Sequence, residues 1–243
     1  MTALLEVEGL TKRFGGVTAV DACSFAVPEG SVTALVGPNG SGKTTAFNLI
    51  TGYARPDAGA VRFAGVPVRR PEPARLARRG LTRTFQQARI FADLTLVQNL
   101  VAALQQPWRA ALRRAVRGHE RARALELLEE FGLARLAHDR AGSLSYGQKK
   151  LLEFATVLMS EPRLVLLDEP TAGVNPVLVE QIEQRVRELN HRGLTFLVVE
   201  HNMNLVMRLC DPVVVLDHGT KLAEGPPDEV RNDPRVLDAY LGG

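Results

Sequence analysis

The residues whose types and spacing most plainly fit a chemical task run from Gly37 to Thr44: Gly37-Pro38-Asn39-Gly40-Ser41-Gly42-Lys43-Thr44, with Thr45 next in line. This is the pattern G-x-x-x-x-G-K-[ST]. It wraps backbone N–H groups around a nucleotide's phosphates, lets a lysine reach the terminal phosphates and offers a hydroxyl to Mg²⁺. A glycine-rich turn that merely caps a helix would not require lysine followed by hydroxyls. A second cluster closes the run Leu164-Val165-Leu166-Leu167-Asp168-Glu169-Pro170. Asp168 suits a Mg²⁺ partner acting through water, and Glu169 suits a base that polarises an attacking water. Read alone, two acids at a strand end are equally a helix cap; downstream of a phosphate loop they fit phosphoryl transfer. A third stretch, Leu144-Ser145-Tyr146-Gly147-Gln148, would set N–H groups and a hydroxyl at a helix N-terminus, which is either a further anion site or an ordinary serine cap.

These groups need elements to hold them. Val32 to Val36 reads as a buried strand and Thr44 to Ile50 as the start of a helix, so the loop lies between a strand and a helix N-terminus. Ahead of it, residues 3–36 carry short strands broken at Phe14-Gly15-Gly16 and Pro28-Glu29-Gly30, which predicts a small antiparallel sheet. Ala60 to Val68 predicts a hairpin turning at Gly65. Apolar residues then recur at helical spacing over Leu100 to Leu112 and over Glu120 to Phe131, where Leu125, Leu127, Leu128 and Phe131 form one stripe and Gly132 supplies a stop. Strands are expected again at Leu164 to Leu167 and Leu194 to Val199, and a last hairpin over Pro212 to Ala223 turns at Asp217-His218-Gly219.

Composition bounds the possibilities. A chain of 243 residues, 45% hydrophobic and 23% charged, can bury a full core and has the balance of a water-soluble globular protein. No apolar run approaches the roughly 18 residues of a membrane span, and the N-terminus lacks the layout of a secretion signal. Any membrane association is therefore expected to be peripheral. The net charge of +3, from 30 basic and 27 acidic residues, is too nearly balanced to argue for a nucleic-acid partner. Arg109, Arg113, Arg114, Arg117, Arg121 and Arg123 crowd one short region, either as a solvated helical face or as a patch for anionic lipid or an acidic partner. Cys23 and Cys210 have no metal or redox spacing and read as buried thiols.

Taken with the phosphate loop and the paired acids, Leu144-Ser145-Tyr146-Gly147-Gln148 resembles the L-S-x-G-Q signature of the ATP-binding cassette family, and the likeness spans essentially the whole chain. The resemblance implies an α/β fold of one domain: a phosphate-loop (RecA-like) nucleotide-binding core, an N-terminal antiparallel β subdomain and an inserted α-helical subdomain. The core and β subdomain would occupy residues 1–91 and 160–243, and the helical insertion, carrying the signature, 92–159. It implies ATP and Mg²⁺ as cofactors. Gly37, Pro38, Asn39, Gly40, Ser41, Gly42, Lys43, Thr44 and Thr45 would hold the nucleotide, with Phe14 stacking on adenine unless it is a core phenylalanine. Ser145, Gly147 and Gln148 of one subunit would close over the nucleotide of another. Thr44, Asp168 and Gln86 would address Mg²⁺, with Gln87 the alternative to Gln86. Glu169, His201, Lys43 and Gln86 would carry the chemistry, His201 as the switch that contacts the γ-phosphate. One departure stands out: Ala172-Gly173-Val174-Asn175-Pro176 has asparagine where most members carry aspartate before the proline.

The family's work also suggests partners. Two cassettes, alike or different, would pack head to tail and drive transmembrane permease subunits, indirectly serving a solute-binding protein, from the cytoplasmic face of the inner (plasma) membrane. Thr11-Lys12-Arg13-Phe14-Gly15-Gly16, Arg83-Thr84-Phe85-Gln86, the loop around Asn175, and the ending Arg231-Asn232-Asp233-Pro234 through Gly243 are similar to the branched-chain amino acid importer subclass, in which that asparagine is usual. Importers of urea or short amides share these stretches, as do lipopolysaccharide exporters to a lesser degree. A permease-free regulatory ATPase and a cassette that binds without hydrolysing are the readings from other classes.

Overall fold

The computed structural model describes residues 2–68, 72–84, 90–104 and 118–241. Its centre is a six-stranded sheet made from β3 (Val32–Val36), β6 (Leu81–Arg83), β7 (Leu164–Asp168), β8 (Thr195–Val199), β9 (Val213–Asp217) and β10 (Thr220–Gly225), ordered β10-β9-β3-β8-β7-β6. From β9 to β6 every pairing is parallel, and β10 runs antiparallel to β9. Strands β3, β7 and β8 are buried at every residue, as parallel strands covered on both faces must be. The α/β class expected from the sequence is the one observed.

The two faces are filled by alternate residues of the same strands. Val32, Ala34, Val36, Val165, Leu167, Phe196, Val198, Val213 and Val215 point to one core. That core is completed by α3 (Leu96–Ala103), α4 (Gly118–Glu130), α5 (Tyr146–Leu158) and α6 (Pro176–His191). Leu35, Leu164, Leu166, Leu197, Val199, Val214 and Leu216 point to the other, against α1 (Lys43–Ile50), Leu76 of α2 (Pro73–Arg78) and an antiparallel sheet. That sheet has the order β2-β1-β4-β5 and is built from β1 (Ala3–Phe14), β2 (Val17–Pro28), β4 (Ala58–Phe63) and β5 (Val66–Pro67). Strand residues of period 2 thus serve two separate cores.

Several elements sit close to their predicted places. The β4–β5 turn uses Ala64 and Gly65, both at positive φ, and the β9–β10 turn uses His218 and Gly219, also at positive φ. Leu127, Leu128 and Phe131 are buried, Leu125 partly so, and Gly132 follows α4 at φ 68°. Burial holds both thiols protonated, Cys23 at about 11 and Cys210 at about 12. Of the helix expected over Leu100 to Leu112, the described part is helical to Ala103 and begins earlier than expected, α3 starting at Leu96; residues 105–112 lie outside the described residues. The reason for the early start is a reciprocal cap at Thr95, whose hydroxyl accepts from Gln98 N at 3.2 Å while Gln98 Oε1 accepts from Thr95 N at 2.9 Å. Arg109, Arg113, Arg114 and Arg117 lie outside the described residues. Arg121 is exposed, and Arg123 pairs with Glu126 at 3.3 Å and Glu130 at 4.0 Å.

Candidate active site at the strand ends

Because β3, β6, β7 and β8 are parallel, the segments that leave their C-terminal ends share one edge of the sheet, where open α/β sheets bind ligands. The phosphate loop leaves β3. Gly37 takes φ 149°, and a Cβ there would lie 2.1 Å from Leu216 O; Gly42 takes φ 98°, with Ala19 O 2.3 Å from the same test position. Glycine is required at both because backbone, which cannot step aside, fills the space. Gly42 is also the N-cap of α1 and brings no side-chain cap, which leaves the first-turn N–H groups to an anion. Lys43 Nζ donates to the carbonyls of Gly37 and Pro38, both at 2.8 Å, and to Ser41 Oγ at 3.3 Å. Burial lowers its pKa and the field of Glu169 opposes that fall, so the two charges sense one another. Pro38 is half-buried and Asn39, Gly40 and Thr44 are exposed, with Thr45 intermediate.

The acids leave β7. Asp168 is buried, and its backbone N–H donates to Thr84 Oγ1 at 3.2 Å. Glu169 takes φ 47°, a left-handed conformation unusual for a side-chain-bearing residue, with its N–H bonded to Val199 O at 2.9 Å. That kink turns the carboxylate toward the residue leaving β8: His201 Nε2 lies 2.8 Å from Glu169 Oε1. With the glutamate ionised, the histidine nitrogen donates.

Asp168 has a partner that its own stretch of sequence does not announce. Arg83, at the end of β6, puts Nη2 2.5 Å from Asp168 Oδ2 and Nη1 2.7 Å from Asn48 Oδ1, with Thr51 Oγ1 at 3.4 Å. Both side chains of the ion pair are under 10% exposed, at 7% and 6%. The guanidinium stacks over Phe47 at 5.5 Å and Tyr53 at 5.9 Å, so one arginine joins β6, α1 and β7. Arg83 also lines a cavity of about 460 Å³ with Thr51, Tyr53, Leu81, Leu104 and Val157.

The remaining predicted residues fall as follows. Phe14 ends β1 at 54% exposure, so it is a surface aromatic and not a core one. Ser145 caps α5 reciprocally with Gln148: Gln148 N donates to Ser145 Oγ at 3.3 Å, and Ser145 N to Gln148 Oε1 at 2.9 Å. Gly147 faces α6, where a Cβ would meet Leu178 Cδ2 at 2.7 Å. Between them, Tyr146 Oη donates to Ala172 O at 3.2 Å, linking this helix start to the loop after Glu169. Asn175 ends that loop as the N-cap of α6, accepting from Leu178 N at 2.9 Å, a task that needs a side-chain oxygen and no charge. Gln86 and Gln87 lie outside the described residues. Arg83 is the residue that sequence reasoning passed over; its quoted place beside Thr84-Phe85-Gln86 gave no sign of a partner 85 positions away.

The donor set fits Mg²⁺, which takes hard oxygens and usually one or two carboxylates, with phosphate oxygens completing its shell. Asp168 and the Thr44 hydroxyl are of that kind, and among the described residues no group of three or more His, Cys, Asp or Glu could hold a metal unaided.

Comparison with known proteins agrees with the geometry. Residues 20–172, more than half the chain, match the family described as ABC transporter, and residues 220–243 match one described as branched-chain amino acid ATP-binding cassette transporter. The chain is 41% identical, over 98% of both chains, to the high-affinity branched-chain amino acid transport ATP-binding protein BraF of Pseudomonas aeruginosa. Among solved structures, the ADP conformation of an ATP-binding cassette of an ABC transporter superposes with a TM-score of 0.90 at 35% identity, covering 100% of each chain. A dimeric cassette in a post-hydrolysis state bound to ADP and Pi superposes with a TM-score of 0.79 at 27% identity over 92% of this chain and 98% of the other.

Proposed function

Because this chain belongs to the ABC transporter family, we propose that it hydrolyses ATP with Glu169 as the base and that the energy drives uptake of branched-chain amino acids through a membrane permease. The observation that carries the catalytic part is the 2.8 Å contact between Glu169 and His201. It joins two loops at the strand ends on the side where Lys43 and the phosphate loop stand. Glu169 takes the proton of the attacking water, a role worth about 10²–10⁴-fold in rate. His201 holds the carboxylate in its kinked position and presents an N–H toward the γ-phosphate. Lys43 leaves its carbonyl partners for the terminal phosphates, and the loop's N–H groups from Gly40 to Thr45 take the remaining oxygens. Phe14 stacks on the adenine. Asp168, Thr44 and Gln86 hold Mg²⁺, which when bound neutralises charge on the β- and γ-phosphates.

The assembly follows from the half-sites. Ser145 caps α5, and Gly147 and Gln148 lie in its first turn; in a head-to-tail pair of cassettes each set would complete the partner's site, and a related cassette that is dimeric with ADP and Pi bound supports pairing. Closure of that pair moves the permease. Among the described residues no helix is long and apolar enough to cross a membrane. The chain would stand at the cytoplasmic face, held there by permease subunits with a solute-binding protein delivering the solute, a reading supported by the relatives' names as transport ATP-binding proteins. The substrate class rests on the match over residues 220–243 and on the relatives' names.

The test is uptake of labelled leucine, with urea as control, in source cells whose chromosomal copy carries Glu169→Gln. Loss of leucine uptake with urea uptake intact is the expected result. Leucine uptake at the normal rate, with the variant expressed and its ATPase lost, would overturn the substrate assignment.

A further inference from the structure

Immediately before His201 the chain buries a carboxylate that the proposed reaction does not use. Glu200 follows the last residue of β8 and is 3% exposed. Its Oε1 accepts from the backbone N–H of Thr171 at 3.0 Å and from the Thr171 hydroxyl at 2.5 Å. Its Oε2 accepts from the backbone N–H of His201 at 3.0 Å and of Asn202 at 3.2 Å. One carboxylate thus receives four hydrogen bonds, three from backbone, and such charge-assisted bonds are the strong ones.

The positions of those donors give the arrangement its meaning. Thr171 stands two residues beyond Glu169, in the loop that runs to α6. His201 and Asn202 open the loop that runs to α7 (Met203–Leu209), and Asn202 caps that helix by accepting from Leu205 N at 3.2 Å. Glu200 therefore pins the loop of the base and the loop of the histidine to a single buried anchor. The His201 side chain is itself 43% exposed, so packing does little to hold it. Its approach to Glu169 has to be fixed through the backbone. That backbone is fixed by Glu200.

We propose that Glu200 is a positioning residue for hydrolysis: it holds the loop of Glu169 and the loop of His201 in register, so that the 2.8 Å contact between them persists while ATP is bound. The inference rests on the roles given to Glu169 and His201 above. Glutamine at this position keeps the shape but not the acceptors. Its NH₂ group would face the two backbone N–H groups of His201 and Asn202 or, turned the other way, the N–H of Thr171, so at least one of the four bonds becomes donor against donor.

The experiment is a double-mutant cycle on purified full-length chain, comparing Glu200→Gln, His201→Ala and the pair, read as phosphate release at saturating ATP and as the ATP dissociation constant. Glu200→Gln is expected to lower kcat about 10–100-fold, the cost of misplacing a reacting group by about 1 Å, with ATP affinity unchanged within about 2-fold. In the His201→Ala background the same change is expected to cost no more than about 3-fold, because neighbours acting through one another are not additive. Equal losses in both backgrounds, or a parallel loss of ATP affinity, would overturn the proposal. Thr171→Val, which removes one of the four bonds and the hydroxyl alone, repeats the cycle if Glu200→Gln does not fold. Glu169→Gln run alongside separates the two claims. If it hydrolyses normally, the reading of the base fails; if it is dead while the cycle is additive, the role of Glu200 fails.

Discussion

Replacing Arg83 by methionine should be among the most damaging single changes in the core of this protein, because one guanidinium joins Asp168, Asn48 and the Phe47 ring. The substitution keeps most of the side-chain volume and removes the charge, stranding Asp168 at 6% side-chain exposure with its 2.5 Å partner gone. Breaking a buried ion pair from one side costs about 3–5 kcal/mol, because the remaining charge is buried uncompensated. The bond to Asn48 at 2.7 Å is lost in the same step. For a domain of this size each kcal/mol lowers the melting temperature by about 2–4 °C, so the expected fall is about 6–20 °C. Differential scanning calorimetry of purified protein without nucleotide reads it directly. Arg83→Lys should fall between, since an ammonium keeps the charge but cannot fork between Asn48 and Asp168. Arg83→Met combined with Asp168→Asn should recover part of the loss, because no charge is then stranded. If Arg83→Met melts within about 1 °C of the wild type, far inside the expected shift, the pair is not the anchor that its geometry implies. The same conclusion would follow if the double variant were worse than the sum of the singles.

Gly37→Ala would set a Cβ 2.1 Å from Leu216 O at φ 149° and should weaken binding of a fluorescent ATP analogue by at least about 2 kcal/mol, near 30-fold. Ser145→Ala removes the hydroxyl of the reciprocal cap on α5 and should cost about 1 kcal/mol in urea unfolding, with ATP binding to the isolated chain unchanged. The buried thiols predict a pH effect of defined sign. Below about pH 7.5, a unit under the ordinary thiol value, both thiols are protonated in the folded and the unfolded chain and add no pH dependence. Above that, the unfolded chain loses thiol protons that the folded chain retains until about 11 for Cys23 and about 12 for Cys210. Stability should therefore fall as pH rises from about 9 to 11, by up to about 1.4 kcal/mol per pH unit for each thiol. Cys23→Ala with Cys210→Ala should flatten that slope, as urea titrations across the range would register.

The parts of the site that could be read from the sequence are those in which local geometry dictates residue type. Gly37 and Gly42 are forced by backbone crowding and positive φ, and Lys43 and Thr44 by what a phosphate needs, so the loop identifies itself. The strand ending at Asp168 is legible because a sheet covered on both faces demands an unbroken apolar run. What escaped depends on distant pairing. Arg83 reads as a surface arginine until β6 is laid beside β7, and Glu200 reads as the polar end of a strand until the loop of Thr171 comes to meet it. The misplaced start of α3 is a different case. Thr95-Leu96-Val97-Gln98 carries the capping-box spacing, a local signal that lies ahead of the apolar periodicity beginning at Leu100. Asn175 shows how a departure from a family pattern can be structurally quiet, since its side-chain oxygen caps α6 as an aspartate's would.

The central claim is that Glu169 supplies the base in a cassette that closes as a pair around ATP. It is tested most directly by purified Glu169→Gln with ATP and Mg²⁺, following phosphate release and mass by light scattering together. The account expects ATP binding to persist, phosphate release to fall by about 10²–10⁴-fold, and the mass to double as the closed pair accumulates. Phosphate release at the wild-type rate would contradict it, as would a protein that binds ATP, fails to hydrolyse it and remains a monomer.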